Sequence, residues 1–171
     1  MSAQFILKQP MTSAYCLACQ GCCRFKEANS PWRPKVYFGE EQIFGGDTLS
    51  SDIFDDKRCI KTKTIGEEHF CGLLDIKTNK CTAYLNRPLE CRLYPFLLVR
   101  KQGEIFLAVH LACPFVQESK DSKEFESQCQ ELKIFFAQEK MNDFLKKNVE
   151  HIFSGYILKN EIEVVCPVCA S

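Results

Sequence analysis

The run CLACQGCC, residues 16–23, places four thiols within eight residues, and two of them, Cys22 and Cys23, are adjacent. No other stretch of the chain restricts its fold so strongly. A disulfide framework spreads its cysteines along the chain, and neighbouring cysteines bridge each other only with strain. The first residues, MSAQFILKQP, carry an apolar run too short for a secretory leader. The expectation is therefore a cytoplasmic protein with reduced cysteines, acting as metal ligands or redox groups rather than as disulfides. The i, i+3, i+6 spacing of Cys16, Cys19 and Cys22 is the cadence with which one loop supplies three thiolates to a cubane cluster. A CxxC pair equally serves one side of a zinc tetrahedron. Adjacent side chains normally point apart, so Cys22 and Cys23 are expected to feed two centres, or to leave one thiol in reserve. Gly21 is expected to let the chain turn tightly, so that backbone N–H groups face sulfur.

The chain has 171 residues, of which 46% are apolar, enough for one domain's core. Lys plus Arg equals Asp plus Glu at 22 each, a formal net charge of zero. A nucleic-acid backbone is a poor match for that balance, so no nucleic-acid partner is expected. The longest apolar runs, PFLL and IFLAV, are far too short to span a bilayer, so no membrane partner is expected either. No Gly-rich phosphate loop, dinucleotide fingerprint or hydrolase elbow is present in the sequence.

The patterning predicts a small, irregular α+β fold, rich in cysteine, with short β-hairpins and a helical C-terminal part. Residues 1–115 form the metal-binding core, and 116–171 form a helical extension packed on it that ends in a CxxC tail. KVYF reads as a short strand and GEEQIF as a helical turn. FCGLLDIKTNKCTAY reads as two strands around the polar turn DIKTN, with Cys71 and Cys81 on either side. Pro88 opens one helical turn in NRPLECRLYP. LYPFLLVR-KQGE-IFLAVHLA reads as a hairpin with Gly103 in its turn. If Arg100 pairs with Ile105, the same register carried outward sets Arg92 against Cys113 and brings Cys91 beside Cys113. DSKE, residues 121–124, resembles a capping box. Phe125, Cys129, Leu132 and Phe136, then Met141, Leu145, Val149 and Ile152, make a helical stripe over 122–153 that stops near Gly155.

Beyond the quartet, Cys71, Cys81, Cys91 and Cys113 each sit beside a turn, strand end or proline, where a side chain can converge on a site. With Cys16, Cys19, Cys22 and Cys23 they make a candidate ligand set suited to two tetrahedral sites, or to one cluster plus a second metal. The elements C16-LA-C19-QG-C22-C23, FC71-GLLD, C81-TAY-LN-R87-P88-LE-C91-R92-LYP and AC113-P resemble the CxxCxxCC cysteine-cluster family of the YkgJ type, a zinc- or iron-chelating domain, over roughly residues 16–114. The resemblance implies a cytoplasmic metal-binding protein holding an iron–sulfur centre. A similar domain in flagellin lysine methylases implies, at most, a distant link to protein modification.

Four thiolates around a metal carry net negative charge, so Arg87 and Arg92 are read as guanidinium groups that offset that charge and hydrogen-bond sulfur. The plainer alternative for them is a surface ion pair with Glu90. Cys59 is ambiguous. Cys129 lies on the apolar stripe and reads as core. Cys166 and Cys169, in CPVC, could complete a site, act as a redox dithiol, or form a mobile tail. His69, His110 and His151 read as surface or hydrogen-bonded histidines. The excess of thiols over one tetrahedron favours an iron–sulfur cluster, [4Fe-4S], over zinc. Three functions follow: a structural or electron-transfer module, a metal-dependent enzyme, or a zinc chaperone or sensor. Catalytic residues cannot be assigned, although Glu67, Glu68 and His69 lie near Cys71. Any protein or redox partner is unidentified.

Overall fold

The computed structural model describes residues 7, 9–19, 21–40, 51–154 and 160–169, apart from the side chains of residues 51 and 169. The helical turn expected over GEEQIF runs out of the described residues after Glu40, and the helix stop at Gly155 lies outside them. Helices and short, mostly antiparallel sheets are both present, so the α+β expectation holds. The chain divides into two compact units, one of Met1–Ile6 with Met11–Arg92, the other of Leu7–Pro10 with Leu93–Ser171. Among the described residues no helix is long and apolar enough to cross a membrane.

The first unit begins with α1 (Ser13–Cys19), a single 3-10 turn over Gly21–Cys23, and the short strand β1 (Arg24–Phe25). β1 joins β2 (Thr62–Ile65) and β3 (Glu68–Cys71) in a sheet of order β1-β3-β2. The pairs are antiparallel, with Arg24 against Phe70 and Thr62 against Cys71. The two strands expected around DIKTN are β4 (Leu74–Asp75) and β5 (Lys80–Cys81), paired Leu74 to Cys81 and Asp75 to Lys80. The turn forms because Asp75 accepts from the Lys77 backbone N–H at 3.0 Å and from the Thr78 hydroxyl at 2.6 Å. Asn79 then takes the left-handed φ of 57° that its side chain tolerates.

KVYF is not a strand. It makes one isolated bridge, Lys35 to Cys59, flanked by Val36 N–H to Arg58 O at 2.9 Å and Ile60 N–H to Pro34 O at 2.8 Å; Arg58, at a left-handed φ of 61°, ends the extended partner segment there. Pro88 does open a helical turn, α2 (Leu89–Leu93). The core of this unit is Val36, Ile60, Phe70, Cys71, Leu73 and Leu74, with Cys23 and Cys81 packed against it.

The second unit holds helices and a four-stranded sheet, in which β8 (Phe153–Ser154), β6 (Phe96–Lys101), β7 (Glu104–His110) and β9 (Ile162–Cys169) lie side by side in that order. β6 and β7 form the expected hairpin, with Arg100 against Ile105. Its two-residue turn, Gln102 and Gly103, has positive φ at both positions, the type I′ geometry that matches strand twist. The ladder ends at Phe96 and Val109. Extending the register to pair Arg92 with Cys113 therefore fails: Leu89–Leu93 is helical, and Cys113 is the N-cap of α3 (Pro114–Ser119).

The stripe over 122–153 forms two helices, α4 (Lys123–Phe136) and α5 (Glu139–Asn148). Ser122 caps α4 by accepting the Phe125 N–H at 3.1 Å, one residue later than the capping box read at DSKE. Phe125, Cys129, Leu132, Phe136, Met141 and Leu145 are buried. β8 (Phe153–Ser154) pairs parallel with β6, and β9 (Ile162–Cys169) pairs antiparallel with β7. The CPVC tail is thus the end of a strand.

Gly72 separates Cys71 from the core leucines, and its N–H donates to Lys61 O at 2.8 Å. A Cβ at this position would stand 2.6 Å from that same backbone oxygen. Gly72→Ala is expected to lower the unfolding free energy by about 1–3 kcal/mol in urea titration, through backbone displacement at the end of β3.

Candidate metal centre

Short elements deliver the thiols of the first unit. α1 carries Cys16 and ends on Cys19, and the 3-10 turn carries Cys22 and Cys23. Gly21 does not take a positive φ, and an added Cβ there would meet Cys19 Sγ at 3.4 Å, an ordinary contact. The turn expected of it is a 3-10 turn that any residue could make. Cys23 directly precedes β1, whose pairing with β3 puts Arg24 against Phe70, and it packs against the cluster that holds Cys71. The β4–β5 ribbon brings Cys81 into the same apolar cluster. α2 supplies Cys91.

The electrostatics show which thiols feel one another. The Cys22 and Cys23 sulfurs lie 4.0 Å apart, so the expectation that adjacent side chains diverge does not describe this pair. Two thiolates on one tetrahedral metal would be separated by about 3.8 Å, from metal–sulfur bonds of about 2.3 Å. The hydrogen bond to Cys23 pushes the Cys22 thiol well up, and burial and the charges of Cys23, Cys91 and Cys16 add to this. The same hydrogen bond draws Cys23 down, helped by the Arg87 and Arg24 guanidiniums against the opposing effect of burial. Burial pushes Cys71 up to about 12, with repulsion from Cys23 and Cys81 behind it. Burial likewise raises Cys81 and carries Cys91 well up, and Cys23 repels both. Cys23 is the hub: its charge reaches Cys22, Cys71, Cys81 and Cys91.

Such a set is costly as thiolates alone, since each bears both desolvation and like-charge repulsion. A cation among them removes both penalties at once. The donor set therefore fits a soft metal or cluster. Among the described residues no three His, Cys, Asp or Glu side chains already stand at chelating separations.

Arg87 favours the thiolate forms of Cys23, Cys81 and Cys91. Its Nε donates to Tyr84 O at 2.9 Å, and its guanidinium stacks 3.7 Å from the Tyr84 ring centroid. Arg92 donates to Arg87 O at 2.8 Å and to Leu85 O at 2.9 Å, tying down the loop that carries Arg87. Sequence reasoning missed Arg24, whose only signal was its place directly after the quartet.

Glu90 is not a surface partner of these arginines. It accepts from Tyr37 Oη at 2.6 Å and from the Lys35 N–H at 2.7 Å. Cys113 belongs to the second unit, where it is buried and starts α3. Cys59 is buried beside the Arg33–Asp55 ion pair and takes an Asp55 oxygen on its N–H at 3.0 Å. His69 Nδ1 meets the Thr64 hydroxyl at 2.8 Å across β2 and β3, and His110 Nδ1 meets Tyr94 Oη at 2.8 Å. Glu68 lies 3.9 Å from Arg24 with its side chain 72% exposed.

Glu40 was not singled out by sequence, yet it fixes α2. Its buried carboxylate accepts the Leu89 N–H at 2.5 Å and the Tyr37 N–H at 2.6 Å. Burial pushes its pKa from 4.5 up to about 8; the two N–H donors and Arg92 oppose this, and Glu90 adds to it. Between those values the native state binds the extra proton, so this group's contribution to stability falls as pH rises from about 5 to about 8. Glu40→Gln is expected to lower stability throughout, because its amide cannot accept from both N–H groups. It should also flatten that part of the pH slope in denaturant titrations, relative to the unsubstituted protein.

Comparison with known proteins identifies a family. A family model named CxxCxxCC, described as "Putative zinc- or iron-chelating domain", matches residues 15–130. No curated protein and no solved structure matches the chain. The matched span is well over half of the sequence and contains each thiol of the convergent group, so the chain belongs to the CxxCxxCC family of zinc- or iron-chelating domains.

Proposed function

We propose that the protein holds an iron–sulfur cluster, [4Fe-4S], through thiolates of the first unit, in a structural or electron-transfer role. The observation that carries this reading is the gathering of thiols in one partly buried group: Cys22 and Cys23 at 4.0 Å, Cys23 and Cys81 packed against the cluster that holds Cys71, and Cys16 and Cys91 within electrostatic reach of Cys22. That is more sulfur than a single tetrahedral zinc uses. A cubane takes one terminal thiolate per iron. Cys23, hydrogen-bonded by Cys22 and faced by Arg24 and Arg87, is the first to ionise and the natural anchor. A bound cluster would supply a one-electron couple, whose potential Arg87 and Arg24 would raise by lowering the net negative charge.

Zinc is the second reading, favoured by one distance. Cys22 and Cys23, at 4.0 Å, already stand near the separation of two ligands on a single ion. A zinc centre would serve a structural, chaperone or sensor role.

Protein purified without oxygen is expected to be brown, with iron and acid-labile sulfide, and to bleach on dithionite addition. A colourless product with bound zinc supports the second reading, and a product with neither metal refutes both. Because the raised thiols hold their protons in the absence of a cation, loading metal into the apoprotein at pH 7 should release about one proton per raised thiol recruited. An unbuffered pH titration reads this directly. Affinity should weaken steeply as pH falls, since protons compete for the same sulfurs. Cys71→Ser and Cys91→Ser should each cost at least tenfold in metal retention under a chelator.

A further inference from the structure

Two cysteines that are unrelated in the sequence lie on packed elements of the second unit, Cys129 on α4 and Cys166 on β9. Along the antiparallel ladder, cross-strand partners share a face. Leu98 pairs with Leu107, and Leu107 pairs with Cys166, so these three lie on one side of the sheet, with Phe96 two residues before Leu98. Phe96 stacks on Phe125 of α4, with ring centroids 5.1 Å apart, so α4 covers this face. Cys129 lies one turn after Phe125 on the same helical stripe and is buried. α4 also packs against β9, the strand of Cys166. The electrostatics agree: burial pushes Cys129 up to about 11, and the next contribution is repulsion from Cys166.

The nominal partner of Cys166 is Cys169, in CPVC. Both lie in the extended strand β9. Three residues of strand span about 10 Å, well beyond the roughly 7 Å between Cα atoms that a disulfide tolerates. The family match ends at residue 130, so it assigns nothing to Cys166. Cys129 is buried on a helical stripe with the buried Phe125 and Leu132, and Cys166 shares its sheet face with the buried Leu98 and Leu107. A neutral disulfide is tolerated there, whereas a bis-thiolate is not.

We propose that Cys129 and Cys166 are a redox-active dithiol that closes into a disulfide between α4 and β9 by exchange with a low-molecular-weight disulfide. Burial raises the Cys166 thiol, and the charge of Lys133 opposes that rise; Cys166 is the more exposed of the two, so it attacks first. Its thiolate forms a bond to one sulfur of the small disulfide, and the other sulfur leaves as a thiolate. Cys129 then gives its proton to that departing thiolate and attacks Cys166 Sγ, releasing the second small thiol. Two protein thiols are oxidised and one small disulfide is reduced to two thiols, so atoms and electrons balance.

The test is anaerobic treatment of the metal-loaded protein with glutathione disulfide, followed by alkylation and peptide mapping without reductant. The expected result is loss of alkylation at Cys129 and Cys166 together, their recovery in one cross-linked peptide pair, and reversal by dithiothreitol. Cys129→Ser should arrest the reaction with glutathione held on Cys166, and Cys169→Ser should leave the cross-link intact. A Cys166–Cys169 link, a stable glutathione adduct on Cys166 in the unsubstituted protein, or full alkylation of both thiols would each overturn the proposal. If Cys129→Ser does not fold, the unsubstituted protein and Cys169→Ser still decide the matter.

Discussion

The structure turns on the cost of gathering sulfur. Cys22, Cys71, Cys81 and Cys91 lose water on folding, and each is repelled by neighbouring thiols once these ionise. A chain cannot place such groups together in a partly buried cluster, next to Phe70 and Leu74, for packing alone. Small apolar residues would fill the same space without that penalty. What reverses the sign is positive charge among the sulfurs, from Arg24 and Arg87 in part and from a metal in full. On the proposed donor set binding and folding are one process, because its segments lie as far apart as residues 16 and 91.

The irregularity of this unit follows from the same requirement. Two-residue strands and one-turn helices bury little surface each, and none would persist alone. Their role is to set the direction of one side chain apiece. β1 follows Cys23 and anchors it beside the cluster that holds Cys71, the DIKTN turn sets Cys81, and α2 sets Cys91. The supports around them are polar and specific. Glu40 holds the first N–H of α2, Glu90 reaches back to Lys35 and Tyr37, and Arg92 ties the loop before it. Positioning here is done by buried carboxylates and guanidiniums rather than by long elements.

Where local chemistry decides structure, the sequence could be read directly. KQGE sets the hairpin register because Gly103 tolerates positive φ, and DIKTN folds because Asp75 bonds to residues two and three further on. The quartet and the later cysteines stand out from spacing alone as a candidate donor set, though spacing did not show that Cys113 falls in the second unit. Where distant contacts decide, reading failed. KVYF has strand composition but only an isolated bridge to Cys59. The hairpin register could not reveal that α2 and α3 flank it instead of more strand. Nothing local to Glu90 announces that it turns toward Tyr37, and nothing in CPVC announces that it ends a sheet strand.

The two units use cysteine in different ways. In the first, many thiols gather against an apolar cluster within the charge of Arg24 and Arg87. In the second, Cys129 and Cys166 sit between a helix and a sheet among aromatic and aliphatic groups, where neutral chemistry is favoured. The central claim is that the first group closes on metal through sulfur. X-ray absorption at the iron and zinc edges of anaerobically isolated protein tests it most directly. The account predicts an all-sulfur inner shell at about 2.3 Å. A shell of nitrogen or oxygen, or no metal edge at all in a normally folded protein, would contradict it.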